Sequence, residues 1–235
     1  DVVTVGGTAS ASFSDKNAGT GKSVLISGLV LSGADAGNYE IASTLAATAD
    51  ITPADLAVTG LTANNKVYDA TTTATLGGSA LVGALGNDFV SVTGTAVANF
   101  GSKNVGTGKA VTVSGLTLGG TDAGNYTIVQ PSGLTADVTP AALLISGVSA
   151  NSKVYDATLI GTLAGTASVS ALGSDVLTLG GTPVATFDSK NVGTAVGVTV
   201  TGYTISGAGA GNYTLVQPAE LAADITAATL TVSGL

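Results

Sequence analysis

The chain has no cysteine, histidine, methionine, tryptophan or arginine. Without cysteine, disulfides, thiolate metal sites and cysteine nucleophiles are excluded. Without histidine, the side chain that titrates unperturbed near neutral pH is gone, and with it the commonest transition-metal ligand. Without arginine there is no bidentate clamp for phosphate. Charge is also scarce, at 9% of residues, and the balance of −8 repels nucleic acid and anionic lipid, so neither is expected as a partner. No apolar run approaches the roughly 18–20 residues that a membrane-spanning helix needs. What remains is a chain that is 45% hydrophobic, with 34 glycines, built mostly from Ala, Val, Thr, Ser and Leu. The positive mean hydropathy therefore reads as many short buried strands.

Internal repetition organises the text. Lys16-Asn17-Ala18-Gly19 returns as Lys103-Asn104-Val105-Gly106 and as Lys190-Asn191-Val192-Gly193. Ala36-Gly37-Asn38-Tyr39 returns as Ala123-Gly124-Asn125-Tyr126 and Ala210-Gly211-Asn212-Tyr213. Lys66-Val67-Tyr68-Asp69-Ala70 returns as Lys153-Val154-Tyr155-Asp156-Ala157. The offset is 87 throughout (103 − 16, 126 − 39, 155 − 68), and Asp1, Asp88 and Asp175 share it, as do Phe13, Phe100 and Phe187. The expected division is a C-terminal part of a repeat over 1–53, complete repeats over 54–140 and 141–227, and the first strand of another over 228–235. A strand pattern already running at Asp1 is expected of a segment of a longer chain.

Within a repeat the hydrophobic period is two. Val24 and Ile26 align with Val111 and Val113 and with Val198 and Val200, while Leu25, Thr112 and Thr199 between them are expected to face solvent. About eight strands per repeat are predicted, near 56–62, 66–69, 73–82, 88–95, 97–102, 109–118, 126–130 and 134–138, with glycine-rich turns between them. Strands of this spacing and number imply an all-β fold of tandem, immunoglobulin-like β-sandwiches. The recurring Phe and Tyr are the bulkiest core candidates. Junctions such as Thr139-Pro140-Ala141 leave no flexible linker, so the repeats are expected to stack end to end in a rod.

The text K-V-Y-D-A, K-N-V-G-T-G-K, D-A-G-N-Y-T-I and A-D-V-T-P resembles the YDG-type repeat of large bacterial surface proteins, among them haemagglutinin-like adhesins exported by two-partner secretion. That resemblance covers the whole chain and implies an extracellular stalk or fibre on the cell surface. It also gives a reason for the missing cysteine, since disulfides would obstruct export of an unfolded chain. The structural motif it points to comprises Tyr68, Asp69, Tyr155, Asp156, Asn38, Tyr39, Asn125, Tyr126, Asn212 and Tyr213, beside Phe13, Phe100 and Phe187. One departure stands out: the glycine of the triplet is Ala70, and Ala157 in the next copy. A turn with negative φ is therefore expected there.

Each candidate site has a plain structural reading beside it. Gly19-Thr20-Gly21-Lys22-Ser23 resembles the end of a phosphate-binding loop, but Lys16 stands where the leading glycine belongs and no helix follows, which favours a hairpin turn. Asp35 with Asn38, and Asp122 with Asn125, could place oxygens around a calcium cofactor. Gly209 replaces the aspartate in the third copy, which favours turn capping. Asp50, Asp137 and Asp224, and Asp1, Asp88 and Asp175, read as solvated or turn-bonding groups, with calcium again the lesser alternative. Lys66 and Lys153 raise an isopeptide bond to asparagine, against a stem lying over a strand with its ammonium in water. Tyr203, in place of Leu29 and Leu116, reads as a core substitution or a local contact.

No catalytic constellation emerges, and a triplicated motif suits length better than turnover, so no enzyme is expected. The leading expectation is a structural spacer that provides reach and stiffness, with neighbouring repeats of its own chain as partners. The alternatives are a multivalent, weak binder of host or matrix glycans or proteins, and a filament that assembles with other copies through strand complementation by Thr229–Leu235.

Overall fold

A computed structural model describes residues 1–42 and 46–233 of the chain. The fold is all-β. Among the described residues there is no α-helix, only the short 3-10 turns Ala36–Asn38, Ala123–Asn125 and Ala210–Asn212. The period-two reading places the faces correctly: Val111, Val113, Val198 and Val200 are buried, while Leu25, Thr112 and Thr199 are exposed.

The contacts gather the chain into two units of interleaved stretches. The first comprises residues 1–62, 76–98 and 112–133, the second residues 63–75, 99–111 and 134–235. In the first, Thr4–Phe13 pairs antiparallel with Gly19–Ser32, which pairs in turn with Ala46–Ile51. Ala54–Ala57 runs parallel to Tyr126–Val129, joining segments 72 residues apart (126 − 54). In the second, Thr178–Phe187, Gly193–Ser206 and Leu221–Thr226 form the same antiparallel triplet. Lys153–Val154 adds a parallel edge at Ile225–Thr226 and Ile160–Gly161 an antiparallel one. Residues 141–144 lie parallel to Tyr213–Val216, again 72 apart (213 − 141). The core of this unit is Ala185, Phe187, Val198, Val200, Ala223 and Ile225, with Tyr203 packed against it. Tyr203 is thus a core substitution.

Glycine earns its abundance at the bulges of the long hairpins. The register of Thr178–Phe187 against Gly193–Ser206 shifts between Gly181 and Val184. There Gly181 and Gly202 face each other at φ +96° and +94°. A Cβ on Gly181 would lie 2.2 Å from the Gly202 carbonyl oxygen, and one on Gly202 would lie 2.3 Å from that of Thr182. Only glycine lets the two backbones approach this closely.

Several sequence expectations need correction. The strands expected at 88–95 and 97–102 are one strand, Ser91–Phe100, in which Gly94 at φ +83° carries the chain on without a turn. Gly19-Thr20-Gly21 is no hairpin turn: it opens the strand Gly19–Ser32 as a bulge, with Gly21 at φ +60°. Residues 228–233 carry strand alternation yet form no strand, and Leu230 and Val232 stand exposed. The corresponding segments, Ala54–Ala57 and residues 141–144, pair with chain 72 residues downstream. The last two residues of the expected strand, 234 and 235, lie outside the described residues. Likewise Tyr39–Ala42 forms no strand, although Tyr126–Val129 at the corresponding position does.

Candidate functional site

The densest polar cluster in the second unit centres on Asp175. Its carboxylate accepts hydrogen bonds from Lys103 Nζ at 2.6 Å, from Tyr68 Oη at 2.6 Å and from Tyr213 Oη at 2.9 Å. Tyr213 Oη in turn accepts the Leu172 N–H at 2.8 Å. The Tyr68 and Tyr213 rings meet edge to face, with centroids 5.4 Å apart. The adjacent Asn212 accepts the Val105 N–H on Oδ1 at 2.9 Å and donates from Nδ2 to Asn104 Oδ1 at 3.2 Å. The cluster thus joins segments separated by 38, 72 and 107 positions.

Local structure explains the placement. The 3-10 turn Ala210–Asn212 delivers Asn212 and Tyr213 side by side, and the Asp175 N–H bonds the Leu172 carbonyl to close the opposing turn. Tyr68 is fixed by its own N–H on the Thr139 carbonyl at 2.8 Å. Gly209 leaves room: a Cβ there would come within 3.1 Å of the Asp175 carboxylate. The bonds from Lys103, and then from Tyr68, hold the Asp175 carboxyl below its ordinary range against the opposing effect of burial. Asp175 and Tyr68 raise the Lys103 ammonium in return. Burial foremost, and then the bond to Asp175, pushes the Tyr68 phenol up.

The first unit repeats the pattern with one member fewer. Lys16 pairs with Asp88, whose other oxygen accepts Tyr126 Oη at 2.8 Å, and Tyr126 Oη accepts the Leu85 N–H at 2.9 Å. Asn125 accepts the Ala18 N–H at 2.8 Å and donates to Asn17 at 3.2 Å. A cleft of about 380 Å³, bounded by Lys16, Ile51, Asp88 and Tyr126, lies beside the pair. Asp88 and Asp175 are therefore neither solvated nor turn-bonding, as the sequence suggested. Sequence reasoning missed them and their lysines, because their partners lie 72 positions away. The one available signal was the shared recurrence of Lys16, Lys103 and Lys190 with Asp1, Asp88 and Asp175.

The YDA triplet builds a second, local cage. Lys153 Nζ donates to Asp156 Oδ1 at 2.8 Å, the Thr158 carbonyl at 2.8 Å and the Ile160 carbonyl at 3.0 Å, and lies 5.3 Å from the centroid of the Phe187 ring. Lys66 makes the same set with Asp69, Thr71 and Thr73, above Phe100. The ammonium is enclosed by oxygens, not held in water, and no asparagine is among its partners in these bonds. The bonds from Lys153 and then Thr158 pull the Asp156 carboxyl down to about 2. Burial raises Asp69, but the bonds from Lys66 and Thr71 outweigh it and leave that carboxyl lowered.

The turn after each Tyr-Asp has positive φ, contrary to the expectation from alanine: Ala70 and Ala157 both sit at +63°. Asp69 and Asp156 each accept the N–H and hydroxyl of the threonine two residues on, which fixes the turn in the left-handed region. The strain costs about 1–2 kcal/mol for an L-residue. Ala157 is exposed, so Ala157→Gly should stabilise the fold by about 0.5–1 kcal/mol, after the greater chain entropy of unfolded glycine is subtracted. Urea denaturation of the variant should show a raised midpoint with an unchanged slope.

The remaining acids have structural partners. Asp50, Asp137 and Asp224 cap the bulges by accepting the N–H of Gly21, Gly108 and Ala195, each at 2.8 Å. They are the turn-bonding groups expected. Of the calcium candidates, Asp35 accepts the Val2 N–H at 2.7 Å, Asp122 accepts the Phe89 N–H at 2.9 Å, and Asn125 serves the cluster above. Asn38 N–H bonds the Asp35 carbonyl at 3.0 Å.

Burial of the aromatics depends on what surrounds each copy. Phe100, Phe187, Tyr68, Tyr126 and Tyr213 are buried, as expected. Phe13 and Tyr39 are exposed, at 41% and 51%, and Tyr155 stands at 36%. Tyr39 nonetheless donates to Asp1 at 2.5 Å, as Tyr126 and Tyr213 do to their aspartates.

An all-β chain whose polar clusters clasp distant copies of one motif is a repeat protein held together by its own recurrence. The particular family follows from comparison: a YDG domain matches over residues 1–47, 52–133 and 139–221, and the chain belongs to that family. No curated protein and no solved structure matches the chain.

Proposed function

We propose that the chain is a structural spacer, a stalk or fibre segment of an extracellular adhesin on a bacterial cell surface, and that it performs no catalysis. In this reading the copies are sandwich-like modules of fixed length, immunoglobulin-like in size, set end to end in a rod. The observation that carries the reading is the cluster at Asp175: a carboxylate only 6% exposed and its phenols tie together segments 38, 72 and 107 positions apart. Bonds of that kind resist separation of the copies, which a spacer under tension requires. The family membership and the lack of cysteine and histidine support it.

The test is negative-stain imaging of arrays of two, four and six copies. Particles should lengthen by a constant roughly 30–45 Å per added copy, judged from strands of about 20 Å plus loops. Globules that grow in all directions would overturn the proposal.

A further inference from the structure

Tyr68 and Tyr213 stand 145 positions apart (213 − 68), yet their side chains meet inside the second unit. The ring centroids lie 5.4 Å apart at an interplanar angle of 77°. Both phenols donate to the same oxygen, Asp175 Oδ2, at 2.6 and 2.9 Å, so the hydroxyls and the ring carbons beside them converge on one point. Both tyrosines are buried. A phenol gives up an electron readily only when its proton can leave as well, and a carboxylate at hydrogen-bond distance is placed to take that proton. The Lys103 ammonium, 5.8 Å from the centroid of the Tyr68 ring, opposes any positive charge left there, so loss of the proton to Asp175 is the open route.

We propose that Tyr68 and Tyr213 are the site of an oxidative cross-link, a carbon–carbon bond between their rings made by a peroxide-derived one-electron oxidant. Each phenol gives one electron to the oxidant and one proton to Asp175, which passes it to water on the side of the partly exposed Lys103. The two neutral phenoxyl radicals join through the ring carbons ortho to oxygen. Each of those carbons then loses its hydrogen while its phenol oxygen regains one, which restores both aromatic rings. The chain loses two hydrogen atoms in all: the two electrons reduce one peroxide O–O bond, and the two protons go to water. Electrons cross several ångströms of protein, so the oxidant need not touch the buried rings, whereas the protons need the short paths to Asp175. A chain without cysteine has no disulfide to hold distant segments, and this bond would close a long loop, where a cross-link constrains the unfolded chain most. The proposal is independent of the spacer reading, since the bond depends only on the cluster.

Brief illumination of the dilute 235-residue chain with a ruthenium tris-bipyridine complex and persulfate, a peroxide, tests it. The monomer should lose the mass of two hydrogen atoms and gain the blue fluorescence of a biphenol. Proteolysis should yield one cross-linked peptide pair, joining Tyr68 to Tyr213, and the treated chain should unfold at a higher urea midpoint. Exposed Tyr39 and Tyr155 report that the oxidant has acted. Tyr68→Phe and Tyr213→Phe should each abolish the product, while Tyr126→Phe, whose hydroxyl serves Asp88 instead, should leave it unchanged. Asp175→Asn keeps an acceptor oxygen but takes up no proton, so coupling should slow severalfold in samples that circular dichroism shows to be folded. Peptide mapping of the wild type decides even where a variant fails to fold. The proposal is overturned if Tyr39 or Tyr155 is oxidised while Tyr68 and Tyr213 stay uncoupled. It is equally overturned if folded Asp175→Asn couples as fast as the wild type.

Discussion

Asp175→Ala should destabilise the chain by about 2–4 kcal/mol. The carboxylate is 6% exposed, and its removal leaves the Tyr68 and Tyr213 hydroxyls without their shared acceptor in a place water reaches poorly. Hydrogen bonds to a charged group contribute about 1.5–3 kcal/mol each, and stranded buried donors add a desolvation cost. The Lys103 pair adds little, because that side chain is 34% exposed and solvent screens it. Asp175→Asn keeps the volume and one acceptor oxygen, so it should cost about half as much. Urea denaturation followed by far-UV circular dichroism measures both, and a change under about 0.5 kcal/mol for the alanine variant would remove the cluster from any account of stability. The effect depends on pH with a definite sign. The folded carboxyl titrates below its ordinary value, so its stabilisation is complete above the unfolded pKa of about 4 and is lost as pH falls through the folded value. The gap between wild type and Asp175→Ala should therefore narrow below about pH 4.

Gly202→Ala should cost about 3 kcal/mol or more. At φ +94° an L-residue is strained, and the new Cβ would lie 2.3 Å from the Thr182 carbonyl oxygen, a backbone atom that no rotamer change can move. The hairpin must open its bulge or shift register, and a register shift would turn Val198 and Val200 out of the core. Gly211→Ala is the control, since a Cβ there meets nothing within 4 Å, and its effect should stay within about 0.5 kcal/mol. Thermal unfolding of the pair separates the requirement for glycine at the bulge from any general effect of glycine content.

What the sequence made legible was whatever is local or repeated. Period-two alternation put Val111, Val113, Val198 and Val200 inside, and recurrence singled out Phe100, Phe187 and the Asn-Tyr pairs. The Asp175 cluster was hidden because composition and spacing say nothing about which of seven lysines meets which aspartate across 72 positions. The cages of Lys66 and Lys153 were hidden for a subtler reason: the residues are adjacent, but their enclosure depends on the carbonyls of the following turn. Ala70 and Ala157 misled because propensity argues for negative φ, whereas the Asp69 and Asp156 side-chain bonds decide the turn. Phe13 and Tyr39 are exposed although Phe100, Phe187, Tyr126 and Tyr213 at the corresponding positions are buried, a difference that the motif text alone does not signal.

The parallel pairing of residues 54–57 with 126–129, and of 141–144 with 213–216, has a consequence for how the chain reaches this state. A hairpin can zip as soon as it emerges, but these ladders must wait until 72 further residues are available, and the Val105–Asn212 bond until 107 are. Loop-closure entropy is spent before those contacts return anything, which slows the search. A chain appearing from one terminus would trail a stretch of incomplete structure about one repeat long behind the growing point, and each copy would become permanent only when its successor arrived.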